Sequence, residues 1–591
     1  MNISTSNIKK IISYPQTFRR WLFAESLSSV EVPNSGCRPI LFFLSSIIFY
    51  SVYLMVMQPE WVLSGEMVAD MATFFFVNAN KQSVAQILFS TTTGYMHLPQ
   101  SIVAYVGNLL NLPASSIAYF YTWSTIFLTS IFVGIFCLQP FRILVKNDSL
   151  RFLAVIIILI VVDFETRSFN NFTYFTTFFV AIITALALVD HSNESPWWAW
   201  FIPIFMISKP IIFSVLPAMI LVSIVSKTRF RIITCVAVLF SLAQIIQVIF
   251  SHNASPTMYG NHSKFGIIDK SYAAVEFFVR YLGGFTFGNS VSQQIHHSIW
   301  LGSLVLVLSL FIVLTKRNNA GAMILVGLSL VFFNSLLNCF LLSPIWNINS
   351  IVNFTALNIH RYTIVSFFGI VMMVVGLISA IFDKKNSNSF WSINSLGSIF
   401  FLMWFVISGW LSFAGSLKVP PFPRAGNSQW QSMASVIDSG QPVCVPIDPL
   451  GWIFSRNCRK LNTDVMWGKK YKFESVSQDG SSSHVALSLP SLMMKYKNLL
   501  SLAVMVKPHT MQTILINANA KARLEMKDGT SKYLIGSRQL SKNGNLLILT
   551  TKESIPINDI HSVTLDFDVP VDLGFIANEP GNNPAVMWMG N

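Results

Sequence analysis

Charge is scarce in this sequence. Asp, Glu, Lys and Arg make up 11% of its 591 residues, against about 25% in an ordinary soluble protein. Six cysteines in that length exclude a scaffold built on disulfides. No Arg-rich run, zinc-ligand spacing or nucleotide-binding glycine fingerprint occurs, so the net charge of +14 gives no ground for a nucleic-acid partner. A cleavable signal peptide is not expected either. About thirty-seven polar and mixed residues, with Lys9, Lys10, Arg19 and Arg20, precede the first apolar block at Pro39.

Apolar residues take up the space that charge leaves. Hydrophobic residues reach 53%, mean hydropathy is +0.55, and there are fifty Phe and fifteen Trp. They fall in repeated blocks of roughly twenty, the length of a bilayer-crossing helix. The chain reads as an α-helical polytopic membrane protein with a domain attached.

The apolar blocks give eleven spans, at about 39–57, 116–138, 152–163, 172–189, 197–207, 211–226, 232–250, 298–315, 320–342, 362–382 and 391–415. The stretch 99–112 is apolar but about fourteen residues long, which suits a juxtamembrane or re-entrant element. With the N-terminus inside, fifteen Lys/Arg fall in about 75 internal residues and seven in about 135 external ones. Adding 99–112 as a twelfth span would put Arg142, Lys146 and Arg151 outside. The positive-inside rule therefore favours eleven spans, with the N-terminus cytoplasmic and the C-terminus external. The spans at 152–163 and 197–207 are short, and both run toward the external face. Asp163, Glu165 and Lys209 then lie at or below that surface, where charge normally faces a polar cavity.

Composition changes near Leu417. Alternating runs such as 501–506, 512–517, 521–526, 545–550 and 562–568, separated by turn signals at 527–530 and 542–545, predict a small external β-sandwich. Cys444 and Cys458 lie fourteen residues apart in this exported region and are expected to form a disulfide. The expected division is a tail over 1–37, a membrane domain over 38–415 and a β-rich domain over 416–591.

Candidate chemistry gathers on the external side. In the first external loop, Glu66 and Asp70 are four apart and would share a helix face, near Trp61, Phe74, Phe75, Phe76, Asn78 and Lys81. A carboxylate in an aromatic pocket at a membrane surface suits proton removal from a sugar hydroxyl. Asp163 and Glu165 form a second acidic site. Lys209 stands in SerLysPro at 208–210, and HisArgTyr at 360–362 opens the tenth span. Arg361 there can hold a phosphate through paired hydrogen bonds. The bland alternatives are a solvated carboxylate for each acid and an interfacial anchor for Arg361 with Tyr362.

This arrangement resembles the GT-C fold integral-membrane glycosyltransferases, and within them it is similar to the serotype-converting O-antigen glucosyltransferases. The resemblance covers about 38–415 and rests on topology and short motifs. The family's first-loop carboxylate falls on Asp70, with Glu66 one turn earlier. Its second acidic position falls on Asp163 or Glu165, and its late-span ArgTyr on Arg361-Tyr362. The chain lacks the adjacent AspGlu pair of protein mannosyltransferases and the WWDYG-like motif of oligosaccharyltransferases.

The resemblance implies inverting transfer of a sugar, glucose by analogy, from undecaprenyl phosphate to an acceptor such as O-antigen polysaccharide or another lipid-linked glycan. Asp70 or Glu66 would take the acceptor proton, with Trp61 and Asn78 beside the acceptor sugar. Arg361, Lys209 and Tyr362 would hold the leaving phosphate. No cofactor is required, although a divalent cation bridging Asp163 or Glu165 to phosphate fits the chemistry. The implied setting is the bacterial inner membrane, with the C-terminal domain periplasmic. Rival readings are a lipid-linked-sugar flippase, for which internal repeats are expected but not seen, and an O-antigen ligase or polymerase. The latter would need more external arginines than 167, 280 and 361.

Overall fold

The computed structural model describes residues 17, 21–23, 37–81, 83–92, 94–190, 194–254, 266–288, 295–341, 359, 361–382, 393–416, 429–448, 452–461, 471–475, 478–479, 482–509, 516–540, 544–576 and 584–591. Most of the expected tail, His360, and residues 255–265 and 289–294 lie outside them. The chain divides into two compact units. The first comprises 1–57, 83–103 and 123–419; the second comprises 58–82, 104–122 and 420–591.

Among the described residues, six helices are long and apolar enough to cross a bilayer: Arg38–Met57, Ala114–Cys137, Thr228–Phe250, His296–Lys316, Gly321–Phe340 and Ile364–Phe382. Ile364–Phe382 is 83% buried and lies at the centre of the first unit, whereas Arg38–Met57, Thr228–Phe250 and His296–Lys316 are 22–28% buried. Such wide apolar faces suit lipid and would be a liability in water. The other expected spans are shorter, among them Asp148–Ile160 at 13 residues and Thr173–Val189 at 17. Thirteen residues of helix rise about 20 Å, against a hydrocarbon core of about 30 Å. Among the described residues, six helices meet the length and composition of a crossing, against the eleven spans expected from the sequence. The stretch 99–112 forms the 12-residue helix Leu98–Leu109.

Close helix contact is made through glycine. A Cβ on Gly369 would lie 2.6 Å from the Gly327 carbonyl oxygen, and one on Gly327 would lie 2.5 Å from that of Gly369. Helices Gly321–Leu341 and Ile364–Phe382 therefore meet backbone to backbone, which only small residues permit. On the side expected to be cytoplasmic, Arg151 is fully buried. Its guanidinium donates to the carbonyls of Val145 and Cys137 and, with Arg142, to the Asp148 carboxylate. One cation counted in the topology argument thus also staples a loop.

In the second unit, helix Trp430–Asp438 buries Trp430, Met433, Ala434 and Ile437, the one-sided spacing of an amphipathic helix. The hairpin Val443–Ile447/Trp452–Arg456 follows. Cys444 is bonded to Cys458, closing a loop with a sequence separation of 14, a constraint worth about 3 kcal/mol in chain-entropy terms. The remaining strands join one 11-stranded antiparallel sheet rather than two separate sheets. Leu487 and Leu565 from one end of its strand order share an apolar core with Leu502 and Trp588 from the other. The sheet therefore folds over on itself.

Candidate functional site

The residues expected at an external site divide between the two units. In the first unit, helix Asp148–Ile160 ends and Asp163, in extended conformation, caps the one-turn helix Phe164–Arg167. Its carboxylate accepts the Thr166 N–H at 3.0 Å. Burial pushes the Asp163 carboxyl above its ordinary value; the Thr166 bonds oppose the shift and the nearby Glu165 charge adds to it.

Glu165 pairs with Arg361, and their side chains are 39% and 36% exposed, so the pair is open to solvent. The Arg361 guanidinium also lies over the Tyr362 ring, 4.8 Å from its centroid. The Tyr362 carbonyl accepts side-chain amide N–H groups from Asn334 at 3.2 Å and Asn338 at 2.9 Å. Asn334 also donates to the Ser366 hydroxyl at 2.6 Å. Amides on Gly321–Leu341 thus fix the turn that carries Arg361. Burial pushes the Tyr362 hydroxyl up, against the pull of Arg361.

Lys209 donates to the Tyr95 hydroxyl at 2.9 Å, and the Tyr95 ring lies 4.5 Å from that of His97. Burial, together with Lys209, holds His97 well below the usual imidazole range. Gln244, fully buried on Thr228–Ala254, ties both segments down. Its carbonyl accepts the Met96 N–H at 3.2 Å, and its amide donates to the carbonyls of Met96 at 3.0 Å and Ser208 at 2.7 Å. Tyr95 and Arg361 both act electrostatically on Tyr362. The Glu165–Arg361–Tyr362 cluster and the Lys209–Tyr95 pair are thus linked through the influence of Tyr95 on Tyr362.

Tyr95 and Gln244 were not singled out from the sequence. Gln244 had a signal, since a lone amide inside an apolar helix is expected to meet a partner or a site. Tyr95 had none beyond the Gly94 turn before it.

The first-loop residues belong to the second unit, and their surroundings correct one expectation. Glu66 and Asp70 do not share a helix face. Helix Pro59–Leu63 stops, and Gly65 turns at φ 65° where a Cβ would lie 2.4 Å from Tyr119. The Glu66 carboxylate accepts the backbone N–H groups of Trp430 at 2.8 Å and Gln431 at 3.4 Å, which makes it a helix cap. Trp61, Phe75 and Phe76 are buried, and Phe76 packs edge-on against Trp430 and Phe454, because an apolar run beside a folded domain is drawn into its core.

Asp70 and Asn78 are half-buried. Asp70 sits between two backbone irregularities: Ala69 at φ 46° before it and the π-helix Met71–Phe76 after it. A non-glycine residue in that region costs about 1–3 kcal/mol and is often kept where function uses the geometry, as π-turns often are. The Ala69 N–H is held by the Asp448 carbonyl at 2.5 Å.

Among the described residues, no three His, Cys, Asp or Glu side chains gather as a metal site. Comparison with protein-family models, curated proteins and solved structures finds no match to this chain.

Proposed function

We propose that the protein is a membrane glycosyltransferase that moves a sugar, glucose by the resemblance, from undecaprenyl phosphate to an O-antigen-like acceptor. The observation that carries the reading is the Arg361 neighbourhood. Arg361 pairs with Glu165 and lies over the Tyr362 ring, Lys209 is bonded to the Tyr95 hydroxyl, and the Arg361 and Glu165 side chains are open to solvent. A planar guanidinium beside an apolar surface suits a phosphate on a lipid tail.

In the proposed reaction the acceptor oxygen attacks the anomeric carbon as its proton passes to a carboxylate, and the carbon–phosphate oxygen bond breaks. The lipid phosphate leaves with the charge that Arg361 stabilises. Asp70 keeps the role of base, supported by the irregular backbone on both sides of it. Eleven crossings, a GT-C architecture, a cytoplasmic N-terminus, a periplasmic C-terminal domain and residence in the bacterial inner membrane belong to the same proposal.

The deciding experiment incubates the purified protein with polyprenyl-phosphate glucose and a polysaccharide acceptor. Acceptor-dependent release of polyprenyl phosphate supports transfer. Movement of intact donor across vesicles without release would mark a flippase.

A further inference from the structure

The pairing of Lys209 with Tyr95 leaves one proton unassigned. An ammonium group has donors and no acceptor, so in their 2.9 Å contact the phenol oxygen accepts. The phenol's own proton must point elsewhere, and no acceptor for it is found among the described residues. The geometry is fixed from below: Gln244 holds the backbone on the C-terminal side of Tyr95 and on the N-terminal side of Lys209. A half-buried, firmly held hydroxyl whose oxygen is already polarised by a cation is a strengthened donor.

We propose that Tyr95 is a ligand-binding residue that donates its hydroxyl proton to a phosphate oxygen of a prenyl-phosphate ligand held by Arg361, with Lys209 setting the direction of that donation. The inference rests on the phosphate-site reading above. It adds a third contact, from a tyrosine in the short hairpin Thr91–Thr92/Tyr95–Met96, and makes Lys209 an orienting group as well as a charge.

The test titrates the full chain in one detergent with farnesyl phosphate and, separately, with farnesol. Wild type should bind the phosphate more tightly than the alcohol. Tyr95→Phe keeps the ring and should lose about tenfold in phosphate affinity, the range for a hydrogen bond to a charged group, with farnesol binding unchanged. Lys209→Met should also weaken phosphate binding, and adding Tyr95→Phe to it should cost clearly less than in wild type. Wild-type phosphate affinity in Tyr95→Phe overturns the inference and leaves the Arg361 site standing. Equal costs in both backgrounds overturn the orienting role of Lys209. Equal binding of phosphate and alcohol by wild type sinks the phosphate site itself, and the Tyr95 role with it.

Discussion

The Glu66 carboxylate caps a helix that begins 364 residues further along the chain, accepting the Trp430 N–H at 2.8 Å. A negative charge at a helix N-terminus meets both an unsatisfied donor and the positive end of the helix dipole. The Trp430 indole N–H bonds the Ala114 carbonyl, and the Gln431 amide bonds the carbonyls of Gly65 and Ser115. Three separated stretches of sequence are locked together at this one helix start.

Glu66→Ala should therefore lower the thermal stability of the second unit by about 1–2 kcal/mol. Glu66→Gln should lose less, since an acceptor oxygen remains. Thermal denaturation of the purified variants measures both. A fully stable but inactive Glu66→Gln would return the role of base to this residue.

Asp70→Asn keeps the side-chain shape and removes the proton acceptor. It should abolish sugar transfer, by at least a hundredfold in rate, while expression and membrane insertion stay normal. Turnover within a few-fold of wild type rules Asp70 out.

Arg361→Ala should weaken donor binding by about 2 kcal/mol, roughly thirtyfold. That is the low end for truncating one member of a buried charge pair, because this site is partly open. Arg361→Lys should recover only part of the loss, since an ammonium lacks the planar fork. Glu165→Gln should tighten donor binding by freeing the guanidinium from a competing carboxylate. Donor titrations of the three variants check all of this; free exchange of Arg for Lys would leave only an interfacial anchor.

Asp163 titrates above its ordinary value of 3.8. The folded protein then holds this proton more tightly than the unfolded chain does. Its contribution to stability is complete below the ordinary value and is lost as pH rises through the raised one. Asp163→Asn keeps a capping oxygen and should flatten the fall in stability as pH rises from about 4 toward neutrality. Asp163→Ala should lose the cap and cost about 1 kcal/mol. Melting curves across that pH range give the answer; equal slopes in wild type and Asn variant would contradict it.

Much of the fold was legible because its signals are local. Apolar runs of twenty announce the six long helices; the alternating run 545–550 falls within the strand Asn545–Pro556, and 562–568 overlaps all but its last residue with Ile560–Phe567. The fate of the first loop was not legible. Period and spacing suggested one helix through Glu66 and Asp70, whereas the partner that decides the matter, Trp430, lies hundreds of residues away. Of the charges expected on the external side, Glu165 and Arg361 form an ion pair. Their supports, Asn334, Asn338 and Gln244, were hidden because a polar residue inside an apolar block shows in the sequence without its bonding partner.

The second unit is composed of 58–82, 104–122 and 420–591, and that order has a cost in time. A ribosome adding about 5–20 residues per second makes the first two pieces and then needs roughly 15–60 s to reach the third. Throughout that interval Glu66 has no helix to cap and Phe76 has no Trp430 to pack against. The newborn loop must survive with its aromatic side chains uncovered, so slow synthesis or a stall within the intervening membrane segment exposes it to proteases and to aggregation. Chains halted before residue 420 should be degraded from this loop first, however well their membrane helices have inserted.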